Sequence, residues 1–465
     1  GLVAQEGIET RITKIESSLS PRLHIEGRAI PRWTITERMQ HFKVPGVSIA
    51  LIDNGKIAWT KTYGHLAIDS LRSVNEQTQF QAASISKPVA ATGIMALVEG
   101  GQLDLDQPIN NYLTSWEVPE NEFSKNQDVT MRRLLSHTAG INMHGFLGYV
   151  VGLDIPNTTQ ILSGSDPTFH EPITVMSTPG EQWKYSGGGY TIAQQVVEDL
   201  SKQLFADYMQ EVLVKLGMKN SSYQIKTASD TSQNVAFGHY QNGIVVKGKW
   251  HRYPEAAAAG LWTTPTDLAT FLIETYKAYQ GKSNLISTTA AKEMLTEQLE
   301  GWGVGFSLRG SEDGLSFGHS GANIGYRCIM NFFAGEEQGF VIMTNGDNGG
   351  SLTQEILRSL SEEYNWAVYS PRIKKEIQLK PKELKPFVGQ YEYLKNKTTI
   401  LAIELQNGEL RTTQLWDKTV YNILPEKPTV FFDDVDGDSF EFIRDENGKV
   451  VKLITAGVDE FVKIK

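Results

Sequence analysis

Phe80-Gln81-Ala82-Ala83-Ser84-Ile85-Ser86-Lys87-Pro88 is the stretch on which the reading of this chain turns. Ser84 is the one serine followed by a lysine three positions on. Set on the first turn of a helix, where Pro88 is still tolerated, residues i and i+3 share a face, so Lys87 can reach the Ser84 hydroxyl. A serine hydroxyl is a weak nucleophile until a base takes its proton. A lysine can be that base when burial brings its pKa down from about 10.4 toward neutrality. The helix N-terminus adds N–H groups and partial positive charge that favour an oxyanion. Taken alone, a Ser-x-x-Lys tetrad is common by chance and reads equally well as the face of a surface helix.

Outward from it the chain organises as follows. Val47-Ser48-Ile49-Ala50-Leu51-Ile52, then Asp53-Asn54-Gly55, then Lys56-Ile57-Ala58-Trp59 read as a hairpin, with Asn54-Gly55 supplying a type I′ turn. Arg327 to Phe333 and Phe340 to Thr344 form a second hairpin signal, and the early and late strands are expected to share one antiparallel sheet. Between them Pro88 to Glu99, Thr191 to Leu200 and Thr266 to Tyr279 carry helical patterns. Strands at both ends with helices between predict an α+β domain over residues 1–368. Residues 369–383 are basic and Pro-punctuated, as a linker would be. Residues 384–465 offer six short strands separated by turn signals such as Asn407-Gly408, Asp436-Gly437 and Asn447-Gly448, which predicts a small C-terminal β-barrel.

Composition narrows the function classes. With 465 residues, a formal net charge of −10 and no long basic run, nucleic-acid binding is not expected. No apolar run reaches the roughly 18 residues of a transmembrane helix. The nine histidines show no His-x-x-x-His pair, so neither metal nor cofactor is expected. Asp434-Val435-Asp436-Gly437-Asp438 lacks the spacing and terminal Glu of a calcium loop and reads as a turn. Gly301-Trp302-Gly303-Val304-Gly305 does not complete a dinucleotide fingerprint, and no Gly-x-Ser-x-Gly elbow is present. Cys328, the single cysteine, lies in an apolar strand and is expected to be a packed thiol behind the strand bordering the cleft. The chain begins Gly1-Leu2-Val3 without Met, which suggests a trimmed or processed precursor, and composition leaves localisation open.

Two further motifs accompany the tetrad. Tyr185-Ser186-Gly187 follows Thr178-Pro179-Gly180, and Gly318-His319-Ser320-Gly321-Ala322-Asn323 comes later. With these three in this order, and with Leu134-Leu135-Ser136-His137-Thr138-Ala139-Gly140 and Gly260-Leu261-Trp262-Thr263-Thr264 beside them, the chain resembles the penicillin-recognising serine hydrolases. The resemblance is to the branch holding class C β-lactamases, D-alanyl-D-alanine carboxypeptidases, D-aminopeptidases and β-lactamase-like esterases, over roughly residues 35 to 365. It implies a β-lactamase/transpeptidase-like fold, with Ser84 acylated, Lys87 as base or proton shuttle, and Tyr185 relaying a proton to the leaving group. His319 stands where lactamases usually carry lysine, Ala322 would give an oxyanion N–H beside that of Ser84, and Ser320, Gly321 and Gly187 would line the substrate. His137 is read as structural. The family's Tyr-x-Asn is departed from at Gly187, which removes an amide that normally receives the acylamino group of penicillins and D-peptides.

The expectation is therefore a serine hydrolase acting on an ester or amide of a small molecule or peptide, with D-amino-acid, peptidoglycan-derived and β-lactam substrates all open. A class C-like β-lactamase, or a penicillin- or peptidoglycan-binding protein with little turnover, is the alternative. Leu384 to Tyr391 is similar to the opening of the lipocalin-like barrels appended to some members. The resemblance also implies a periplasmic or secreted protein, and it leaves the oligomeric state open.

Overall fold

Left-handed backbone at Asn54 (φ 51°) and Gly55 (φ 67°) reverses the chain between the strands Gly46–Asp53 and Lys56–Gly64, as the Asn-Gly pair predicts. The structure, a computed structural model, describes residues 2–229 and 231–465, with side chains from residue 7 onward. On its other edge Gly46–Asp53 pairs with Gln338–Thr344, Val47 opposite Thr344 and Ile52 opposite Gly339. The sheet runs Lys56–Gly64, Gly46–Asp53, Gln338–Thr344, Tyr326–Phe333, Ser316–Asn323, Ser307–Arg309, antiparallel throughout. Early and late segments thus complete one sheet. Gly46 to Ile52 is buried at every position because elements cover both faces. One cover is the helix Pro265–Tyr279, N-capped by Thr264, which buries Leu268, Ala269, Phe271 and Leu272 against the central strands.

The helix Ser86–Glu99 is enclosed almost all round, buried from Ser86 to Met95 and again at Leu97. Its residues Pro88-Val89-Ala90-Ala91 are apolar and compact, the composition of an interior helix. The consequence falls on Lys87, which enters the core with it.

Two compact units divide the chain: Thr36–Thr353, and the residues up to Ile35 together with Gln354–Lys465. In the second, Gly389–Tyr393 through Asp459–Lys463 form a closed barrel of eight antiparallel strands, with Tyr391 opposite Lys463 at the closure. Six strands are expected there from turn spacing, and Val420–Lys427 and Asp459–Lys463 are the additions. Pro425 and the acidic start at Asp459-Glu460 disguise them, and the ladder slips between Pro425 and Lys427 where a donor is missing. Edge-on and tilted contacts among Phe387, Phe431 and Phe442 fill the barrel. The loop over Asp433–Asp438 is a turn: the Asp433 carboxylate accepts from the N–H groups of Val435, Asp436, Gly437 and Asp438. In the same unit Arg372–Lys374, inside the stretch read as linker, pairs in parallel with Leu23–Ile25.

Candidate active site

Ser84 lies not on the helix itself but in the 3₁₀ turn Ala83–Ile85 just before it, so Lys87 is the second residue of Ser86–Glu99. Ala83 holds left-handed backbone (φ 49°), a conformation that costs an alanine about 1 kcal/mol and must be imposed by its surroundings. Several clamps impose it. The Ile85 N–H donates to Ala82 O at 3.0 Å, Ser86 Oγ donates to Ala83 O at 2.5 Å and accepts from the Leu261 N–H at 2.9 Å, and the Tyr223 hydroxyl donates to Ser86 O at 2.6 Å.

Lys87 Nζ stands 3.1 Å from Ser84 Oγ and donates to Ala258 O at 2.9 Å. It faces the rings of Tyr185 and Tyr190, 4.9 and 5.8 Å from their centroids, and burial brings its pKa down from 10.5 to about 7. The neutral amine is therefore within reach near physiological pH, beside the Ser84 hydroxyl. The Tyr185 phenol is held well above its ordinary pKa by burial, against the opposing effect of a hydrogen bond with Ser84. It stays protonated, so the arrangement pairs a neutral amine base with a phenol proton donor.

His319 is 7% exposed on the strand Ser316–Asn323. Its Nδ1 lies 2.6 Å from Ser320 O, and a carbonyl can only accept, so Nδ1 carries the proton and Nε2 keeps its lone pair. That Nε2 has no hydrogen-bond partner among the described residues. Burial, and next the Lys87 charge, lower its pKa to about 3, so His319 is a neutral acceptor where a lysine would place a cation. Beyond Gly318 this strand has no strand partner on its outer edge, and there it lies against the Ser84 turn: a Cβ on Gly321 would stand 2.3 Å from Ala82 O. Ser320 and Ala322 alternate onto its exposed face. Cys328 sits opposite Gly321 in the sheet, its thiol donating to Ala82 O at 3.0 Å and pushed up in pKa by burial. A thiol titration is expected to find Cys328 unreactive in the native protein and fully reactive in denaturant; rapid native reaction would contradict this packing.

His137 packs behind the second motif. Its Nδ1 accepts the Ser186 N–H at 3.1 Å and its ring lies 4.2 Å from that of Tyr185. Ser186 caps the helix Gly187–Ser201, accepting from the Gly189 N–H and donating to Asn142 O. The motifs thus meet around the Ser84–Lys87 pair: Tyr185 hydrogen-bonds to Ser84, and His319 lies 6.1 Å from the Tyr185 ring and within the influence of the Lys87 charge. Sequence reading missed Trp302, whose ring stacks on Trp183 (5.6 Å) and lies 5.8 and 5.3 Å from Tyr185 and His319. Its Gly-Trp-Gly setting carries no pattern that points to a serine hydrolase site. His144, 4.8 Å from the Tyr185 ring, was also missed and carries no motif. Among the described residues no three His, Cys, Asp or Glu side chains gather as metal ligands, and no helix is long and apolar enough to cross a membrane.

Sheet, interior helix and convergent motifs define a β-lactamase-like fold built around a serine–lysine pair. Residues 32–361 match the beta-lactamase family model, and the chain belongs to that family. Protein flp of Staphylococcus aureus (strain MW2) is 23% identical over 349 residues, 71% of this chain; the chain spans 65% of that relative's length. The octameric penicillin-binding protein homologue from Pyrococcus abyssi shares the fold with a TM-score of 0.64 at 21% identity, covering 92% of this chain and 98% of that one. D-amino acid amidase from Ochrobactrum anthropi SV3, in complex with L-phenylalanine amide, does so at 0.56 and 20%, covering 71% and 98%.

Proposed function

We propose that this protein is a serine hydrolase that forms an acyl-enzyme on Ser84 and cleaves an ester or amide. The observation that carries the reading is the buried Lys87 amine 3.1 Å from Ser84 Oγ with its pKa near 7. Neutral Lys87 takes the Ser84 proton as Oγ bonds to the substrate carbonyl carbon. The resulting oxyanion is held by the N–H groups of Ser84 and Ala322. As the carbonyl re-forms, the leaving atom takes its proton through the Tyr185 hydroxyl, and water repeats the sequence to free the acid and Ser84. His319, neutral, orients this exchange through Nε2 and adds no positive charge for a substrate carboxylate, which favours esters and amides that carry no free carboxylate of their own. Export to the periplasm or the cell exterior belongs to the same proposal.

Incubation with a fluorophosphonate followed by peptide mass spectrometry tests it. A single adduct on Ser84, absent from Ser84→Ala, together with turnover of p-nitrophenyl acetate is the expected result. An unlabelled protein that cleaves no activated ester overturns the reading. Nitrocefin turnover far above that of the esters would replace it with a β-lactamase.

A further inference from the structure

Where the second motif carries Gly187, the structure leaves a side chain little room. A Cβ there would stand 3.1 Å from Phe146 Cε2 and 3.2 Å from His144 O, and the Gly187 N–H itself donates to His144 O at 2.9 Å. Phe146 covers the position. Its loop is stitched down by Ser186 Oγ on Asn142 O and by the Gly188 N–H on Met143 O. Outward, the surface continues as rings, Phe146 to His170 (5.4 Å), His170 to Phe169 (6.4 Å) and Phe169 to Tyr149 (4.8 Å). Leu147 and Phe169 remain 65% and 55% exposed, an apolar edge that solvent alone does not favour.

The loop also reaches the end of the oxyanion strand. Leu147 O meets His251 Nδ1 at 2.7 Å, a Cβ on Gly148 would touch Tyr253, and the Tyr253 hydroxyl accepts from the Ile324 N–H at 3.1 Å. Amides on this flank satisfy one another: Asn323 Nδ2 donates to Gln81 Oε1 and Ala259 O, and Gln81 Nε2 donates to His251 O. Gln81 Oε1 and Asn323 Nδ2 are thereby engaged with each other and with backbone carbonyl groups of the protein. A leaving atom must be protonated as it departs, so it lies against Tyr185 and His319, on the side walled by Trp183 and Trp302. Phe146 and Leu147, beside the position of the absent amide, offer the acyl part of a substrate an apolar surface in its place.

We propose that this apolar surface is an acyl-chain subsite and that the substrates carry an apolar acyl chain in place of an acylamino group beside the carbonyl. The proposal rests on the serine hydrolase reading above. Its test is kcat/KM for p-nitrophenyl acetate, butyrate and octanoate and for an N-acetyl-D-alanyl p-nitrophenyl ester, on the whole protein, Phe146→Ala and Leu147→Ser. The octanoate-to-acetate ratio is expected to be about tenfold in the native sequence and to fall at least about threefold in each variant. Leu147 is exposed, so its variant keeps the test open should Phe146→Ala fail to fold. A native ratio near one, a ratio untouched by both changes, or preference for the N-acetyl-D-alanyl ester overturns the subsite while fluorophosphonate labelling of Ser84 upholds the hydrolase. Absence of both labelling and acetate turnover overturns the hydrolase and the subsite together.

Discussion

Ester turnover is expected to fall about 10⁴-fold in Ser84→Ala, by a similar factor in Lys87→Met, and no further in the double variant, because nucleophile and base act as one unit. Losses that multiply in the double variant would show that Lys87 is not the base of Ser84. The pH profile gives an independent reading. Only the neutral amine can take the Ser84 proton, and burial sets its pKa at about 7, so kcat/KM should rise with pH through about 7. His319 stays neutral throughout, since its own pKa lies near 3. A rising limb placed below pH 5 would rule out Lys87. Stability carries the same signature with a definite sign. Between about 7 and the unfolded lysine's 10.4, the unfolded chain binds a proton that the native state does not, so the fold gains stability as pH rises across that window. Below it the cost of burying the ammonium is fully present. Urea midpoints at pH 7 and pH 9 should differ in that direction, and the part due to this residue should vanish in Lys87→Met.

The second large effect is expected at Gly321. A single methyl there would lie 2.3 Å from Ala82 O, 2.7 Å from Cys328 Sγ and 3.0 Å from Ala83 Cβ. The first of these contacts is with backbone, which cannot turn aside as a side chain can, so the oxyanion strand and the Ser84 turn must part. Gly321→Ala should lose about 10²–10³-fold in kcat, the scale of one misplaced oxyanion donor, and about 2 kcal/mol of stability from overpacking. Adding Cys328→Ala removes only the sulfur contact and should not restore activity. Recovery in that double variant would assign the closeness to the thiol instead of the carbonyl.

Much of this site was legible before any coordinates. The tetrad holds Ser84 and Lys87 in one local turn, and a spacing of three residues is enough for contact because that geometry is set by the backbone alone. Asn54-Gly55 likewise announced its hairpin, since few residue pairs tolerate two left-handed positions. Other features were hidden for stated reasons. Val420–Lys427 was masked by Pro425, which a strand tolerates only through the ladder slip seen there. Trp302 and Phe146 carry no motif, because an apolar wall is chosen by shape and not by chemistry.

The sequence by itself singled out Ser84 and Lys87, the order of the three motifs and the glycine at 187 in place of an amide. What only the tertiary structure decided is the state in which those groups meet. The Lys87 pKa falls to about 7 because its helix is enclosed, Tyr185 stays a phenol and His319 a neutral acceptor because both are largely desolvated, and the place of the missing amide is covered by Phe146. Each of these depends on desolvation and close approach between segments far apart in the chain. A linear pattern carries neither quantity until the fold brings the segments together.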